Sequence, residues 1–356
     1  MKIKSIHRMG DIEEEQKIAL KTYPYTYARV SAMRGKLIKK QDYIRLLKMD
    51  TTSIIRYLQE TEYKKSVDRL ASAHRGVNLA EYAINDNLVE TVNKLKAISE
   101  KEVVELVDAY LRRWDILNLK TVLRIKNKVQ KLQDNSAENL LVPLGSLDKK
   151  FLINLLNMNS VIDVLKKVKS LGYNINVEEF EKNKDLAVIE NQLDKDFFYK
   201  TLEFVGSIPE EGERFKVFLK IEIDVINIRN LLKLKRVNAD KSRTIQFLIF
   251  SGQYIGKSEL ERLAETRNIE ELMDKLKSTK YGKVFGSSQS IVDIELELDR
   301  FWLQSAALYS HQNPLSVQTI LAYLLAKDIE ARNLKAIVRG KQLGITEDFI
   351  EKKLLI

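Results

Sequence analysis

Three observations predict an all-α protein made of three similar helical domains. The 356-residue chain is 44% hydrophobic and holds only 4 Pro and 13 Gly, which favours long helices and short loops over turn-rich sheet. Apolar residues recur three and four apart, the spacing of one helix face, and no stretch sustains a period-two alternation bounded by turn residues. Finally, one pattern is written three times: "WDILNLKTVLRIK" at 114–126, "IDVINIRNLLKLK" at 223–235 and "IEARNLKAIVRGK" at 329–341. Each copy reads acid, two residues, Asn, apolar, basic, one residue, two apolar, basic, one residue, Lys.

Taken in order, the chain opens with the tail end of a unit. Arg34-Gly35-Lys36 matches Arg339-Gly340-Lys341, and "QDYI" at 41–44 resembles "EDFI" at 347–350. The helix pattern "YIRLLKM" at 43–49 returns as "LINLLNM" at 152–158, and Leu260 opens a third form, "LERLAET". In "MDTTSIIRYL" a helix stops and a new one is capped at Thr52 or Ser53. Tyr63, Tyr173 and Tyr281 each close an amphipathic helix. Glu81, Glu190 and Glu295 each precede an apolar-acid or apolar-amide pair, Ile84-Asn85, Leu193-Asp194 and Leu298-Asp299. The segment from Ile98 to Lys126 starts with Ser99 as a cap and Glu102 three residues on, a capping box, and then runs without Pro or Gly. "TIQFLIF" at 244–250 reads as helix.

These landmarks keep one order and a period of about 107 residues, the signature of a tandem repeat. The expected divisions are an N-terminal helical segment at 1–36 and repeats at 37–145, 146–252 and 253–356. So long a period exceeds the helix pairs of a solenoid, so each unit is expected to bury a small core of its own.

Composition also limits function. Cysteine is absent, which removes disulfides, thiolate metal sites and cysteine nucleophiles. The first residues lack an apolar core long enough for a signal peptide, and no run approaches 18 apolar residues, so no membrane span is expected. The net charge of +10 is the excess of 60 basic over 50 acidic residues, mixed along the chain. Dispersed charge of this kind points to solvated helix faces more than to a nucleic-acid stripe. His7, His74 and His311 stand alone without metal-ligand spacing. "GQYIGKS" at 252–258 has three residues between its glycines where a phosphate loop needs four. Neither a catalytic site nor a cofactor or metal is expected.

On a helical wheel Asp115, Asn118, Leu119, Val122 and Lys126 share a face, with Lys120 and Arg124 opposite. The same arrangement holds for Asp224, Asn227 and Arg229, and for Glu330, Asn333 and Lys335. A polar pair among aliphatics needs hydrogen-bond partners if buried. It either ties the helix to a neighbouring chain turn in every unit or offers a triplicated contact to a partner, and the structural tie is favoured. Arg124, Lys126 and Lys128, Lys233, Lys235 and Arg236, and Arg339 and Lys341 fall near helix C-termini. Cations are favoured there by the helix dipole. Were the units to close around an axis, these clusters would also form a ring able to receive an acidic partner.

The stretches "YPYTYARVSAMRGKLI" (23–38), "YIRLLKMDTTSIIRYLQETEY" (43–63), "LVETVNKLKAI" (88–98), "LRRWDILNLKTVLRIK" (111–126) and "DIEARNLKAIVRGKQLGI" (328–345) resemble the C subunit of A-type/V-type ATP synthases, a relative of the eukaryotic V-ATPase d subunit. The resemblance covers nearly the whole chain. Positions 27 and 31 depart from it, carrying Tyr and Ser where the family usually has Asn and Arg. It implies three helical domains around a pseudo-threefold axis, forming a funnel. The implied partners are the central-stalk subunits at its mouth, the membrane rotor ring at its opposite face, and the cytoplasmic side of the membrane, to which it would be peripheral. The implied role is a non-catalytic socket that passes torque between ATP turnover and transport of protons or sodium ions. The competing reading is a helical scaffold for nucleic acid or another acidic partner, with nucleic acid ranked well below the rotor.

Overall fold

A computed structural model describes residues 23–127, 137–285 and 290–356. Most of the N-terminal segment, residues 1–22, lies outside these, as does Lys128. Among the described residues every regular element is a helix and none is a strand, so the all-α class holds. Helix α1 (Pro24–Arg34) leads into three short helices, α2 (Lys40–Leu47), α3 (Thr51–Gln59) and α4 (Lys64–Leu70), followed by α5 (Gly76–Ala97) and α6 (Lys101–Asn127). The order then recurs with α7 (Lys149–Asn157), α8 (Val161–Ser170), α9 (Val177–Asn183), α10 (Leu186–Gly206) and α11 (Glu211–Arg236). After α12 (Lys241–Gln246) come α13 (Lys257–Ala264), α14 (Ile269–Lys277), α15 (Ile291–Gln312) and α16 (Val317–Gln342), and α17 (Glu347–Lys352) ends the series.

Three local expectations need correction. Helix α3 is capped by Asp50, whose carboxylate accepts from the Ser53 N–H at 2.8 Å, and not by Thr52 or Ser53, because Thr51 already has helical geometry. Ser99 does not cap α6: its hydroxyl donates to the Leu95 carbonyl at 2.7 Å and finishes α5 instead. "TIQFLIF" is helix only to Gln246. Its second half leaves the helix because side-chain amides claim its backbone: Asn191 and Asn230 both donate to the Phe247 carbonyl, each at 3.0 Å.

Packing runs in a closed circuit. Helix α5 lies on α16 and α6, α10 on α6 and α11, and α15 on α11 and α16, while α16 also touches α6 and α11 directly. The buried apolar side chains form one continuous cluster through these six helices. Burial of each large aliphatic contributes about 1.5–3 kcal/mol, so this core supplies the main driving force.

Repeated polar residues set how each long helix meets the segment after it. Asn118 on α6 donates to the Val142 carbonyl at 2.8 Å and accepts from the Val142 N–H at 2.9 Å. Asn227 on α11 does the same with Ile249, both bonds at 2.8 Å, and Asn333 on α16 with Leu355 at 2.8 and 3.0 Å. A side-chain amide thus serves one residue of non-helical backbone in the way a neighbouring strand would. The acid one turn earlier takes the next N–H groups. Asp115 accepts from Ser146 N at 2.8 Å and Leu147 N at 3.0 Å, and Asp224 from Gln253 N at 3.0 Å and Tyr254 N at 2.7 Å. Glycine permits this approach: a Cβ on Gly145 would stand 2.2 Å from Asp115 Oδ1, and one on Gly252 would stand 1.8 Å from Asp224 Oδ1.

The third acid closes the circuit across the chain ends. Glu330 accepts from the Ile38 N–H at 2.6 Å, between residues 292 apart in sequence, and from the Tyr63 hydroxyl at 2.6 Å. Lys327, only 4% exposed, donates to Glu330 at 2.6 Å and to the Tyr63 hydroxyl at 3.1 Å. No peptide links Leu355 to Ile38, so hydrogen bonds and this buried ion pair, together with the surrounding packing, replace the covalent connection present at the other two junctions. Two measurements follow. Asn227→Ala leaves a buried N–H and a buried carbonyl without partners and is expected to lower unfolding free energy by about 2–4 kcal/mol in urea denaturation. In native-state hydrogen exchange, Lys327→Met is expected to speed exchange in α2–α4 while leaving α7–α8 and α13–α14 unchanged.

Candidate functional site

The bases on the long helices build the site. Lys120 and Arg124 lie four apart on α6 and meet Asp194 and Glu190, four apart on the antiparallel α10. Lys120 pairs with Asp194, and Arg124 donates to Glu190 through Nε at 2.7 Å and through Nη2. The next junction repeats this, with Arg229 and Lys233 of α11 paired to Asp299 and Glu295 of α15, the Lys233 contact at 2.9 Å. At the junction across the chain ends Arg339 of α16 makes a two-pronged contact with Glu81 of α5, and Lys335 and Asn85 occupy the remaining positions. The carboxylates that recur in the sequence are therefore the counterions of the repeated bases. Burial pushes Asp194 up against the pull of Lys120, and burial lowers Lys335, whereas the hydrogen bonds to Glu190 and Glu81 hold Arg124 and Arg339 above their ordinary value.

The remaining bases divide between directions. Lys126 donates to the Met158 carbonyl at 2.6 Å and Lys235 to the Ala264 carbonyl at 2.7 Å, each at the C-terminal end of a short helix in the following segment, where the dipole favours a cation. Lys341 pairs with Glu347 at 2.6 Å, and Arg236 is exposed. The eight residues expected as basic clusters thus do not face one way, Lys128 being outside the described residues. Asp115, Asn118, Asp224, Asn227, Glu330 and Asn333 are buried in the ties described above.

Between α6, α10 and α11 lies a groove of about 570 Å³ lined by Arg113, Lys120, Arg124, Asp194, Glu222 and Arg229 among others. A smaller one of about 290 Å³ lies between α5 and α16, lined by Glu81, Asn85, Arg332, Lys335 and Arg339. At the inner end of the larger groove Arg113 contacts Glu222 at 2.8 Å, donates to the Tyr110 hydroxyl at 2.6 Å and lies over the Trp302 ring at 5.3 Å. Arg113, Glu222 and Asp328 each stand two residues before a repeated acid, and the field of Asp328 reaches Arg113. Burial works against the Arg113 charge, but Glu222, Tyr110 and Asp328 outweigh it and hold the guanidinium above its ordinary value. This cluster escaped the sequence reading. Its signal was Glu222 inside "KIEIDVINI", a second charge in a run too apolar to be a solvated face.

For "GQYIGKS", the N–H groups of Gln253 and Tyr254 that a phosphate would need already serve Asp224. Among the described residues no three His, Asp or Glu side chains gather as a metal site, and no helix is long and apolar enough to cross a membrane. The arrangement offers paired charges on a helical frame.

The sequence model described as "ATP synthase (C/AC39) subunit" matches residues 26–353. The chain belongs to the C/AC39 subunit family of ATP synthases. Curated relatives named as the C subunit of the A-type ATP synthase include one from Methanosarcina acetivorans, 36% identical over 353 residues that cover 96% of this chain and 95% of the relative. Another from Haloferax volcanii is 31% identical, covering 93% and 97%, and one from Archaeoglobus fulgidus is 30% identical, covering 94% and 96%. The match spans the three repeated Asn residues and all five ion-paired helix contacts, with only Leu355, the partner of Asn333, just beyond it.

Burial raises Glu222 to about 7, opposed first by Arg113. An acid held above its unfolded value of about 4.3 keeps its proton in the native state after the unfolded chain has released one, so native stability falls as pH rises between these values. Asp224, raised to about 6 by burial, acts the same way over a narrower range. Urea midpoints measured from pH 4 to 8 are therefore expected to decline less steeply in Glu222→Gln than in the unaltered protein, the part due to Asp224 remaining.

Proposed function

We propose that this C/AC39 chain is the central-rotor adaptor of an A/V-type ATP synthase, a non-catalytic socket between the central stalk and the membrane rotor ring. The observation that carries this reading is the closed circuit of six helices whose long members are tied by the same amide and faced by the same bases. Three similar domains, at 37–145, 146–252 and 253–356 after an N-terminal segment, would give a pseudo-threefold funnel with a charged seat along the long helices. The relatives carry the name of the C subunit of an A-type ATP synthase, which supports a part in that assembly.

The role requires stiffness, and the frame supplies it through long helices, few glycines and side-chain ties in place of loose loops. Torque then passes through packed helices without bond chemistry. Two faces must hold without slipping, each burying at least roughly 1,200 Å², the lower bound of a stable interface. The chain would lie peripherally on the cytoplasmic side of the membrane, where exposed Lys and Arg near anionic lipid gain about 1 kcal/mol each. Nucleic acid is a poorer partner, since most of the repeated bases already have carboxylates opposite them within the chain.

Affinity purification through a tag on this chain from detergent-solubilised membranes is expected to bring down stalk and ring subunits together. Membranes lacking the chain should yield ring and stalk separately. Ring and stalk remaining joined without it, or nucleotide turnover by the purified chain alone, would overturn the adaptor.

A further inference from the structure

The three acid-centred junctions are not alike, and the difference opens a cavity at one of them. Where the chain ends meet, a cation, a tyrosine and an acid close on one another as Lys327, Tyr63 and Glu330. At the Asp224 junction the cation is replaced by Ile221, and the Tyr281 hydroxyl donates to Asp224 at 2.9 Å. The Asp115 junction has all three residue types again, in Arg112, Tyr173 and Asp115, at the same places in the pattern. There they stand apart. Asp115 is satisfied by the Ser146 hydroxyl at 2.7 Å in addition to its backbone donors, so it does not need the tyrosine. The Tyr173 hydroxyl makes no hydrogen bond among the described residues, and Arg112 makes no ion pair among them.

Between these groups lies a half-open cavity of about 270 Å³ bordered by α6, the segment at 146–147, the turn after α8 and α10. Its floor is apolar, from Ile116, Leu147 and Phe197, and its rim carries Arg112, Tyr173 and the buried Thr201, whose hydroxyl also lacks a hydrogen-bond partner among the described residues. Asp196 and Lys200 complete the rim. The Asp196 carboxylate is already held by Lys200 at 2.9 Å and by the Asn174 N–H at 3.2 Å. Among the lining side chains two cations and one acid leave a single positive charge beside two unpaired hydroxyls and an apolar floor, while Asp115, whose field also reaches Tyr173, is already engaged by three donors of Ser146 and Leu147.

We propose that this cavity binds a small organic monoanion, a carboxylate on a short apolar body, with the carboxylate between Arg112 and the Tyr173 and Thr201 hydroxyls. Such a ligand gives Arg112 and Tyr173 the anionic partner that Glu330 gives Lys327 and Tyr63 at the closed junction. At about 30 Å³ per water the volume equals roughly nine waters, which suits a ligand of about ten non-hydrogen atoms. A charge-assisted hydrogen bond to the guanidinium supplies direction, and the apolar floor selects against a bare anion. Binding would join α6 to α10 and to the turn after α8, stiffening the one junction that lacks the tyrosine bond. The proposal is independent of the adaptor role, since it concerns the isolated chain.

Benzoate is a suitable probe, with benzyl alcohol as its uncharged counterpart and acetate as the charge without the body. Titrations followed by calorimetry on the full chain are expected to show saturable benzoate binding with a dissociation constant on the order of 0.1–1 mM. Benzyl alcohol and acetate should each bind about tenfold more weakly or worse. Arg112→Gln and Tyr173→Phe are each expected to weaken benzoate about tenfold, whereas Tyr63→Phe at the closed junction leaves it unchanged. Arg112 is exposed, so its replacement is expected to leave the thermal midpoint near that of the unaltered protein. Absence of saturable benzoate binding, equal binding by Arg112→Gln, or equal binding of acetate and benzoate would overturn the site.

Discussion

The fold depends on a buried amide satisfying one residue of non-helical backbone. After each long helix the chain leaves helical geometry, and the residue tied there, Val142, Ile249 or Leu355, is buried where water cannot serve its N–H and carbonyl. An orphaned pair there would cost several times a typical net hydrogen bond. Asparagine is the shortest side chain carrying both a donor and an acceptor in one plane, and it meets both groups from the long helix, 22 or 24 residues earlier in the chain. The acid three residues earlier then collects the following N–H groups, its path left clear by the glycines at positions 145 and 252.

Repetition of this device at similar intervals makes a circuit of helices, but the circuit has one seam. Two junctions are continuous in the chain; the third joins Ile38 and Tyr63 to Glu330 through space. Glutamate stands there in place of aspartate, and Lys327 is buried against it. A buried ion pair is costly to form and more costly to break on one side, which suits a contact that specifies which ends meet. The seam also explains why α3, far back in the chain, packs against the last long helix, α16.

Electrostatics on the opposite helix face has a different scale. Several of these pairs, such as Arg124 with Glu190 and Lys233 with Glu295, have bases more than half exposed and contribute little to stability. Arg113 and Glu222 differ, because both are shielded and the guanidinium also lies over the Tyr110 and Trp302 rings.

The amino-acid sequence by itself determined the helical class, the period near 107 residues, and the identity of the residues that recur, since helix periodicity and the repeated acid, Asn and bases are local properties of the chain. It also marked Glu81, Glu190 and Glu295 without saying what they face. Tertiary structure alone decided that Glu81 faces Arg339 from the far end of the chain, that half of "TIQFLIF" leaves its helix for Asn191 and Asn230, and that among the described residues the Tyr173 hydroxyl, unlike those of Tyr63 and Tyr281, makes no hydrogen bond. Those outcomes turn on which helices pack together and which donor reaches an acid first. Such competition is settled by distances across the core, which no local pattern encodes.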